Sequence, residues 1–394
     1  MFDYFQHSAD GGPIHSKSGN LRPLSADSAA KRLIPSSNSG LPDLTRKSSV
    51  LKRDNVDFIL NDELYYPCVL FTRTAEDRKT RNVWGYPLAD TLQETMFVHP
   101  YIEQERQFFW RAALNGPDAV DVAMTILFAR KSTSQKVFCV DFSAFDASVK
   151  PDLVRMAFSE IRGQFQSGSH TDLLQVEDRF LTIPIWTPEG EISGLHGVPS
   201  GSAFTNTVDS LVQHIASGYW TSGLCQIQGD DGVYLATNKE IDRLQDDFAA
   251  SGLKLNEDKS DVFSETEGLY LQRYYHPVYT NREGGYGGVY PISRALNRIK
   301  YLENWTDFNR MGIEGSDFFA LRTIMILENC KHHPAFESLV LYVKNLDSNG
   351  LRYTSKGLTA YSNAMKSRTR AGIFNQTDMR SGIGSFETSK VLGV

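Results

Sequence analysis

Two strand-length runs, Cys225 to Gln228 and Gly232 to Ala236, flank the tetrapeptide Gly229-Asp230-Asp231-Gly232. Gly and Asp favour tight turns, so the segment predicts a β-hairpin with two carboxylates at its tip. A further strand is expected over Lys136 to Phe142, with Val137, Cys139 and Asp141 on one face and Phe138, Val140 and Phe142 on the other. If the hairpin packs beside that strand, Asp141, Asp230 and Asp231 converge. Gly-Asp-Asp alone is no more than a turn, and only the order and spacing of its neighbours give it weight.

Those neighbours are regular. Pro151 suits the first position of a helix, with Leu153, Val154, Ala157, Phe158 and Ile161 on its apolar face. Residues 195–202, Leu-His-Gly-Val-Pro-Ser-Gly-Ser, read as a Gly-rich loop, followed by a helix from Ala203 to about Ser217. Another helix is expected from Lys239 to Ser251, ended by Gly252. Upstream, residues 65–72 read as a strand, Arg78-Lys79-Thr80-Arg81 is a basic run, and residues 88–130 are mostly helical. Residues 1–60 are rich in Ser, Gly, Pro and Asn and read as loop, whereas the C-terminal quarter is largely helical.

Composition sets outer bounds. With 394 residues, 41% hydrophobic and 22% charged, the chain can bury a large core. The net charge of -6 counts mildly against a nucleic-acid partner, but the charge along a channel matters more than the total. Cys68, Cys139, Cys225 and Cys330 are scattered without a CxxC pair, which argues against a zinc site or disulfide framework. No apolar run approaches the roughly 20 residues of a bilayer span, and no apolar leader is present. An intracellular, reducing compartment is the expectation.

Carboxylates gathered at strand ends suit nucleotidyl transfer, which uses two divalent cations held by oxygen ligands. The wider pattern resembles a family. Asp141-Phe-Ser-Ala-Phe-Asp146 resembles polymerase motif A, Ser200-Gly201-Ser-Ala-Phe-Thr205-Asn206-Thr-Val-Asp209 motif B, and Gly229-Asp230-Asp231 motif C. Gly252 to Ser260 resembles motif D, Tyr270-Leu-Gln-Arg273-Tyr-Tyr275 motif E, and Arg78-Lys79-Thr80-Arg81 the basic motif F. The order F, A, B, C, D, E is that of viral RNA-dependent RNA polymerases, and it spans residues 78–275. Phrases such as Gly197-Val-Pro-Ser-Gly are similar to partitivirus and picobirnavirus polymerases of double-stranded RNA viruses.

The resemblance implies an α+β right-hand polymerase with fingers, an antiparallel palm sheet and a thumb. Its divisions would be a loop-rich extension over 1–60, fingers over 61–135, palm over 136–280 with 147–196 partly a fingers insertion, and thumb and tail over 281–394. It implies Asp141, Asp230 and Asp231 as metal ligands for Mg²⁺, with Mn²⁺ able to substitute, and Lys259 as general acid. Lys79 and Arg81 would bind the triphosphate, with Arg73 and Arg78 as further candidates. Asp146 would accept from the ribose 2′ hydroxyl, Ser200 and Gly201 would support template or sugar, and Thr205 and Asn206 would join the Asp146 network. The family usually places Asn where Asp209 stands, so Asn206 and Asp209 are both candidates for the ribose contact.

Arg273 with Tyr274 would grip nascent RNA, or belong to a half-buried hairpin. The Gly- and Tyr-rich segment Tyr279 to Tyr290 would be a solvent loop or offer a ring to an initiating nucleotide. The tail's Arg352, Lys356, Lys366, Arg368, Arg370, Arg380 and Lys390 would contact RNA backbone or simply be solvated, while Lys331-His332-His333 reads as helix surface rather than a metal site. Partners implied are template and product RNA, NTPs and a viral capsid protein, with work in the host cytoplasm or inside the virion. Rival readings are a reverse transcriptase, which usually carries an aromatic residue where Asp146 stands, and a non-catalytic RNA-binding protein on a degenerate palm.

Overall fold

The computed structural model describes residues 1–5, 19–62, 65–74, 80–220, 223–302, 308, 312–370 and 382–393, with backbone alone for 2, 62, 74 and 366–370. The chain forms two compact units. One comprises Met1–Arg111 with Val140–Asp261, and the other Ala112–Cys139 with Val262–Val394.

In the first unit, the helix Leu88–Glu105 is buried on nearly every side, polar residues included. Buried charges are tolerated only when paired. Asp90 accordingly accepts from Arg179 at 2.8 and 2.9 Å, and Glu105 lies 3.2 Å from Arg111. The helix Pro151–Gln164 starts at its proline as the sequence predicts, and it buries Val154, Ala157, Phe158 and Ile161. The Phe158 ring meets Phe180 of the helix His170–Thr182 edge-on and tilts against Phe204. Arg162 and Glu177 form an ion pair between these two helices, both almost wholly buried.

A four-stranded sheet runs in the order Thr80–Gly85, Cys68–Thr74, Ile185–Thr187, Gly190–Ile192. The strand expected over 65–72 therefore begins at Cys68 and extends to Thr74. Its antiparallel register sets Arg73 opposite Arg81. Both arginines are exposed, so this pairing sets two cationic side chains on the sheet surface. The hairpin Cys225–Gln228 and Asp231–Ala236 forms as predicted, with Gln228 opposite Asp231. The next helix is Asn238–Ala250, and Gly252 follows at φ +86°, the left-handed conformation that ends helices.

In the second unit, the helices Gly315–Glu328, Phe336–Leu346 and Ser355–Arg370 enclose a core that includes Phe318, Leu321, Ile324, Leu339, Val340 and Tyr361. The strands Gly268–Tyr270 and Arg273–Tyr275 pair through a turn in which Leu271 and Gln272 both have positive φ. The Tyr279–Tyr290 segment is solvent-exposed at its tip, over Arg282, Glu283 and Gly284, and anchored on either side. Thr280 bridges Tyr286, the Tyr286 hydroxyl donates to Thr266 Oγ1 at 2.9 Å, and Tyr290 is buried.

Removing one partner of a buried ion pair strands the other charge, at a cost of roughly 3–5 kcal/mol. Arg162→Met is therefore expected to lower the urea midpoint of unfolding markedly. Adding Glu177→Leu should restore most of it, and a double variant no better than the single one would contradict this account.

Candidate active site

The strand Lys136–Val140 delivers the chain to Asp141, and the segment after Gly252 holds it there. Phe142 bridges Leu255, the Ser143 N–H donates to the Lys254 carbonyl at 2.8 Å, and the Asn256 N–H donates to the Asp141 carbonyl at 2.8 Å. Ser260 Oγ accepts from the Asp141 N–H and donates to its carbonyl, each at 3.2 Å. The Asp141 carboxylate is then met by Asn256 Nδ2 at 3.3 Å and by Lys259 Nζ at 3.8 Å. The segment resembling motif D thus brings its lysine to the carboxylate of motif A.

Asp230 sits at the hairpin tip after Gly229, whose φ of +66° favours a residue without Cβ. At Gly232 a Cβ would lie 2.2 Å from Gln213 Nε2 and 2.8 Å from Val140 Cγ2, so this glycine lets the helix Thr205–Ala216 and the end of the Asp141 strand close onto the hairpin. The Asp230 side chain is open to solvent yet surrounded on most sides by protein. Its carboxyl is raised above the usual range by desolvation, then by the charges of Asp146 and Asp141, with Arg81 opposing. Asp141, Asp146, Arg81 and Asp230 are therefore electrostatic neighbours. Asp231 is half-buried and opens the return strand.

The three expected metal ligands do not form a closed triad. Among the described residues, the grouping whose ligand atoms all lie within 4.8 Å is Asp118, Asp121 and His332, in the other unit. The Asp141 and Asp230 donor set nonetheless suits a hard cation, because it offers carboxylate oxygens, solvent access at Asp230 and an excess of negative charge.

Asp146 lies in the short helix Phe145–Ser148, entered through Ala144 at a left-handed φ of +49°. Ser200 Oγ donates to its carboxylate, and its carbonyl accepts from the Val198 N–H at 2.7 Å. A Cβ at Gly197 would lie 2.2 Å from that carbonyl, and one at Gly201 would lie 1.9 Å from the Trp84 carbonyl, so both loop glycines are needed for backbone to pass backbone. Desolvation raises the Asp146 carboxyl, while the Ser200 hydrogen bond and Arg81 oppose.

The expected link from Thr205 and Asn206 to Asp146 is not made. Thr205 Oγ1 donates to the carbonyls of Pro199 and Ser202 at 3.2 and 3.0 Å, because its place in the first helical turn points it back along the loop. Asn206 Oδ1 accepts from Arg111 Nη2 and Gln228 Nε2, each at 3.0 Å. Asp209 is fully buried, and its Oδ1 has no hydrogen-bond partner among the described residues. Burial pushes its carboxyl well up, as do Asp146 and Asp230. Lys79 and Arg78 lie outside the described residues, and Arg81 is exposed.

In the second unit, the RNA-gripping role for Arg273 is corrected. Its guanidinium is buried and donates to the Gly288 and Asn329 carbonyls at 3.3 and 3.0 Å and to Asn329 Oδ1 at 2.8 Å. Tyr275 is buried too, donating to Asp121 Oδ1 at 3.1 Å, while Tyr274 is half-buried and bonds Glu267. The Asp118, Asp121 and His332 cluster is already engaged. Lys331 Nζ lies 2.5 Å from Asp118, and Asp121 accepts from Tyr275 and from the Gly288 N–H at 3.1 Å. Lys390 pairs with Glu387 at 2.8 Å, whereas Arg380 and the side chains of Lys366, Arg368 and Arg370 lie outside the described residues.

Comparison with known proteins decides the family. A model described as viral RNA-dependent RNA polymerase matches residues 59–309. The chain belongs to the viral RNA-dependent RNA polymerase family. It is 31% identical over 273 residues to a protein named "Potential RNA-dependent RNA polymerase" of human picobirnavirus (strain Human/Thailand/Hy005102/-), covering 67% of this chain and 50% of that one. It is 30% identical over 149 residues to the RNA-directed RNA polymerase of Cryptosporidium parvum virus 1 (strain KSU-1), covering 37% and 28%. The chain thus spans half or less of the length of these curated relatives. A crystal structure of the RNA-dependent RNA polymerase of a human picobirnavirus superposes with a TM-score of 0.79 at 25% identity, covering 100% of this chain and 82% of that one. The α+β right-hand polymerase architecture is therefore the fold of this family member.

Three residues around the centre escaped sequence reading. Glu94 accepts from Ser202 Oγ and the Ala203 N–H, each at 2.7 Å, and so pins the loop before the Thr205 helix. Arg111 and Glu105 form the buried pair that reaches Asn206, Ser210 and Gln228. None sits in a periodic pattern, and their one signal is the presence of ionisable side chains within otherwise apolar stretches.

Burial pushes the Glu94 carboxyl up to about 8, against its bonds to Ser202 and Ala203. A carboxyl raised on folding holds its proton in the native state after the unfolded chain has lost it, so stability falls as pH rises from about 4.5 to about 8. Glu94→Gln removes that contribution. The thermal midpoint of wild type minus that of the variant should be larger at pH 5 than at pH 8, and a constant difference would show that Glu94 does not titrate in this window.

Proposed function

We propose that this chain catalyses template-directed RNA synthesis, transferring a nucleoside monophosphate from NTP to an RNA 3′ hydroxyl. The observation that carries the reading is the electrostatic grouping of Asp141, Asp146 and Asp230 with Arg81, with Lys259 beside Asp141. In the reaction, the 3′ oxygen attacks the α-phosphorus, the bond to the bridging oxygen breaks and pyrophosphate leaves. Magnesium or manganese, held by Asp141 and Asp230 with Asp231 assisting, would acidify the 3′ hydroxyl and offset phosphate charge. Lys259, half exposed and 3.8 Å from Asp141, would protonate the leaving group.

The cross-strand arginines Arg73 and Arg81 would receive the triphosphate, joined by Lys79. Asp146, suspended from Ser200, would accept from the 2′ hydroxyl and so favour NTP over dNTP. Tyr274 would lie along the nascent strand, and the Ser200-Gly201 loop would support the template or the incoming sugar. The division into fingers over 61–135, palm over 136–280 and thumb over 281–394 belongs to the same proposal. Among the described residues, no helix is long and apolar enough to cross a membrane.

Asp230→Asn should lower primed synthesis on a single-stranded template by a hundredfold or more, since losing a metal contact costs several kcal/mol, at about 1.4 kcal/mol per tenfold. RNA binding by the same variant, read by filter retention, should persist. Retained synthesis would sink the catalytic assignment. Asp146→Ala should narrow the gap between NTP and dNTP incorporation, and an unchanged gap would remove the sugar-sensing role.

A further inference from the structure

Asn206 is exposed at the start of the Thr205–Ala216 helix, yet its amide is not free to turn. Two donors converge on one of its atoms, Arg111 Nη2 and Gln228 Nε2, each at 3.0 Å. An atom that accepts twice must be the oxygen, so the amide is locked with Nδ2 on the other side. That nitrogen lies over the Gly229 turn, where a Cβ on Gly229 would sit 3.5 Å from it. It makes no hydrogen bond to a described residue. The N–H₂ group is thus a pair of donors held over the Gly229 turn that precedes Asp230, on an exposed residue.

The two clamping residues are themselves fixed. The Arg111 guanidinium donates to Gln228 Oε1 at 2.8 Å, to the Ile227 carbonyl at 3.3 Å and to Ser210 Oγ, and its Nε lies 3.2 Å from Glu105. Ser210 Oγ accepts from the Gly229 N–H at 2.8 Å and donates to the Asn206 carbonyl at 2.7 Å. One buried cation therefore joins the first turns of the helix to the strand that ends at Gln228. Asp209, the other candidate for the sugar contact, is buried, whereas Asn206 is exposed.

We propose that Arg111 and Gln228 are positioning residues that hold the Asn206 amide with its donors outward, so that it recognises a sugar hydroxyl as acceptor while Asp146 takes the hydroxyl proton. This rests on the polymerase reading. A hydroxyl both donates and accepts, so a site that offers one acceptor and one donor distinguishes it from hydrogen more sharply than either group alone.

The test uses the full chain with a primed RNA template, Mn²⁺, and NTP or dNTP as competing substrates. Gln228→Glu removes the second donor to Asn206 Oδ1 and sets a carboxylate against it. It should raise KM for NTP about tenfold, as the loss of one hydrogen bond does, with kcat and the KM for dNTP little changed. In an Asn206→Ala background the same substitution should change discrimination no further, because Gln228 acts through Asn206. A merely structural role would instead give additive losses and a fall in kcat. If Gln228→Glu does not fold, Gln228→Met, which removes both hydrogen bonds at similar volume, is read through the same cycle. Unchanged discrimination in the folded variant, or additivity with Asn206→Ala, overturns the proposal. A wild-type protein that incorporates no nucleotide at all overturns the polymerase reading and this one with it.

Discussion

Arg111 is wholly buried, and a buried cation persists only where its donors find matched acceptors. Here those acceptors are side chains and carbonyls of two different elements: Asn206 and Ser210 on one helix, Ile227 and Gln228 on the strand before the Gly229 turn. Glu105, on a third element, supplies the counter-charge. The guanidinium is also a positive influence on Asp209, whose burial and acidic neighbours would otherwise go unopposed. The geometry of the acidic centre therefore depends on a residue that touches none of its exposed carboxylates.

The same logic recurs at Glu94. A carboxyl buried within the Leu88–Glu105 helix anchors the loop of Ser202 and Ala203, and Gly197 and Gly201 let that loop pass close to the Asp146 and Trp84 carbonyls. Polar groups inside the unit, each satisfied by a distant segment, define where the loop stands. Apolar packing around Phe158, Phe180 and Phe204 supplies the bulk against which it rests.

What was legible in the sequence is what local periodicity encodes. Alternation revealed the strand before Asp141, turn chemistry revealed the hairpin at Asp230, and Pro151 and Gly252 marked helix ends. Arg111, Glu94 and Glu105 were illegible because their partners lie far along the chain and no local pattern announces a buried ion. Of the two readings left open for Arg273, the hairpin one fits its burial. Alternation puts Arg273 and Tyr275 on one face of a short strand and Tyr274 on the other, so the burial of Tyr275 carries Arg273 inward with it. Thr205 was misjudged because its hydroxyl had nearer carbonyls to satisfy than any carboxylate across the loop.

The acidic residues hang from supports of unequal stiffness. Asp141 ends a strand whose backbone is stitched to residues 254–260, and Asp230 crowns a two-stranded hairpin, whereas Asp146 is suspended from one serine hydroxyl on a glycine-bearing loop. A change at that one hydroxyl or at the loop glycines would therefore shift Asp146 while leaving the backbone supports of Asp141 and Asp230 in place.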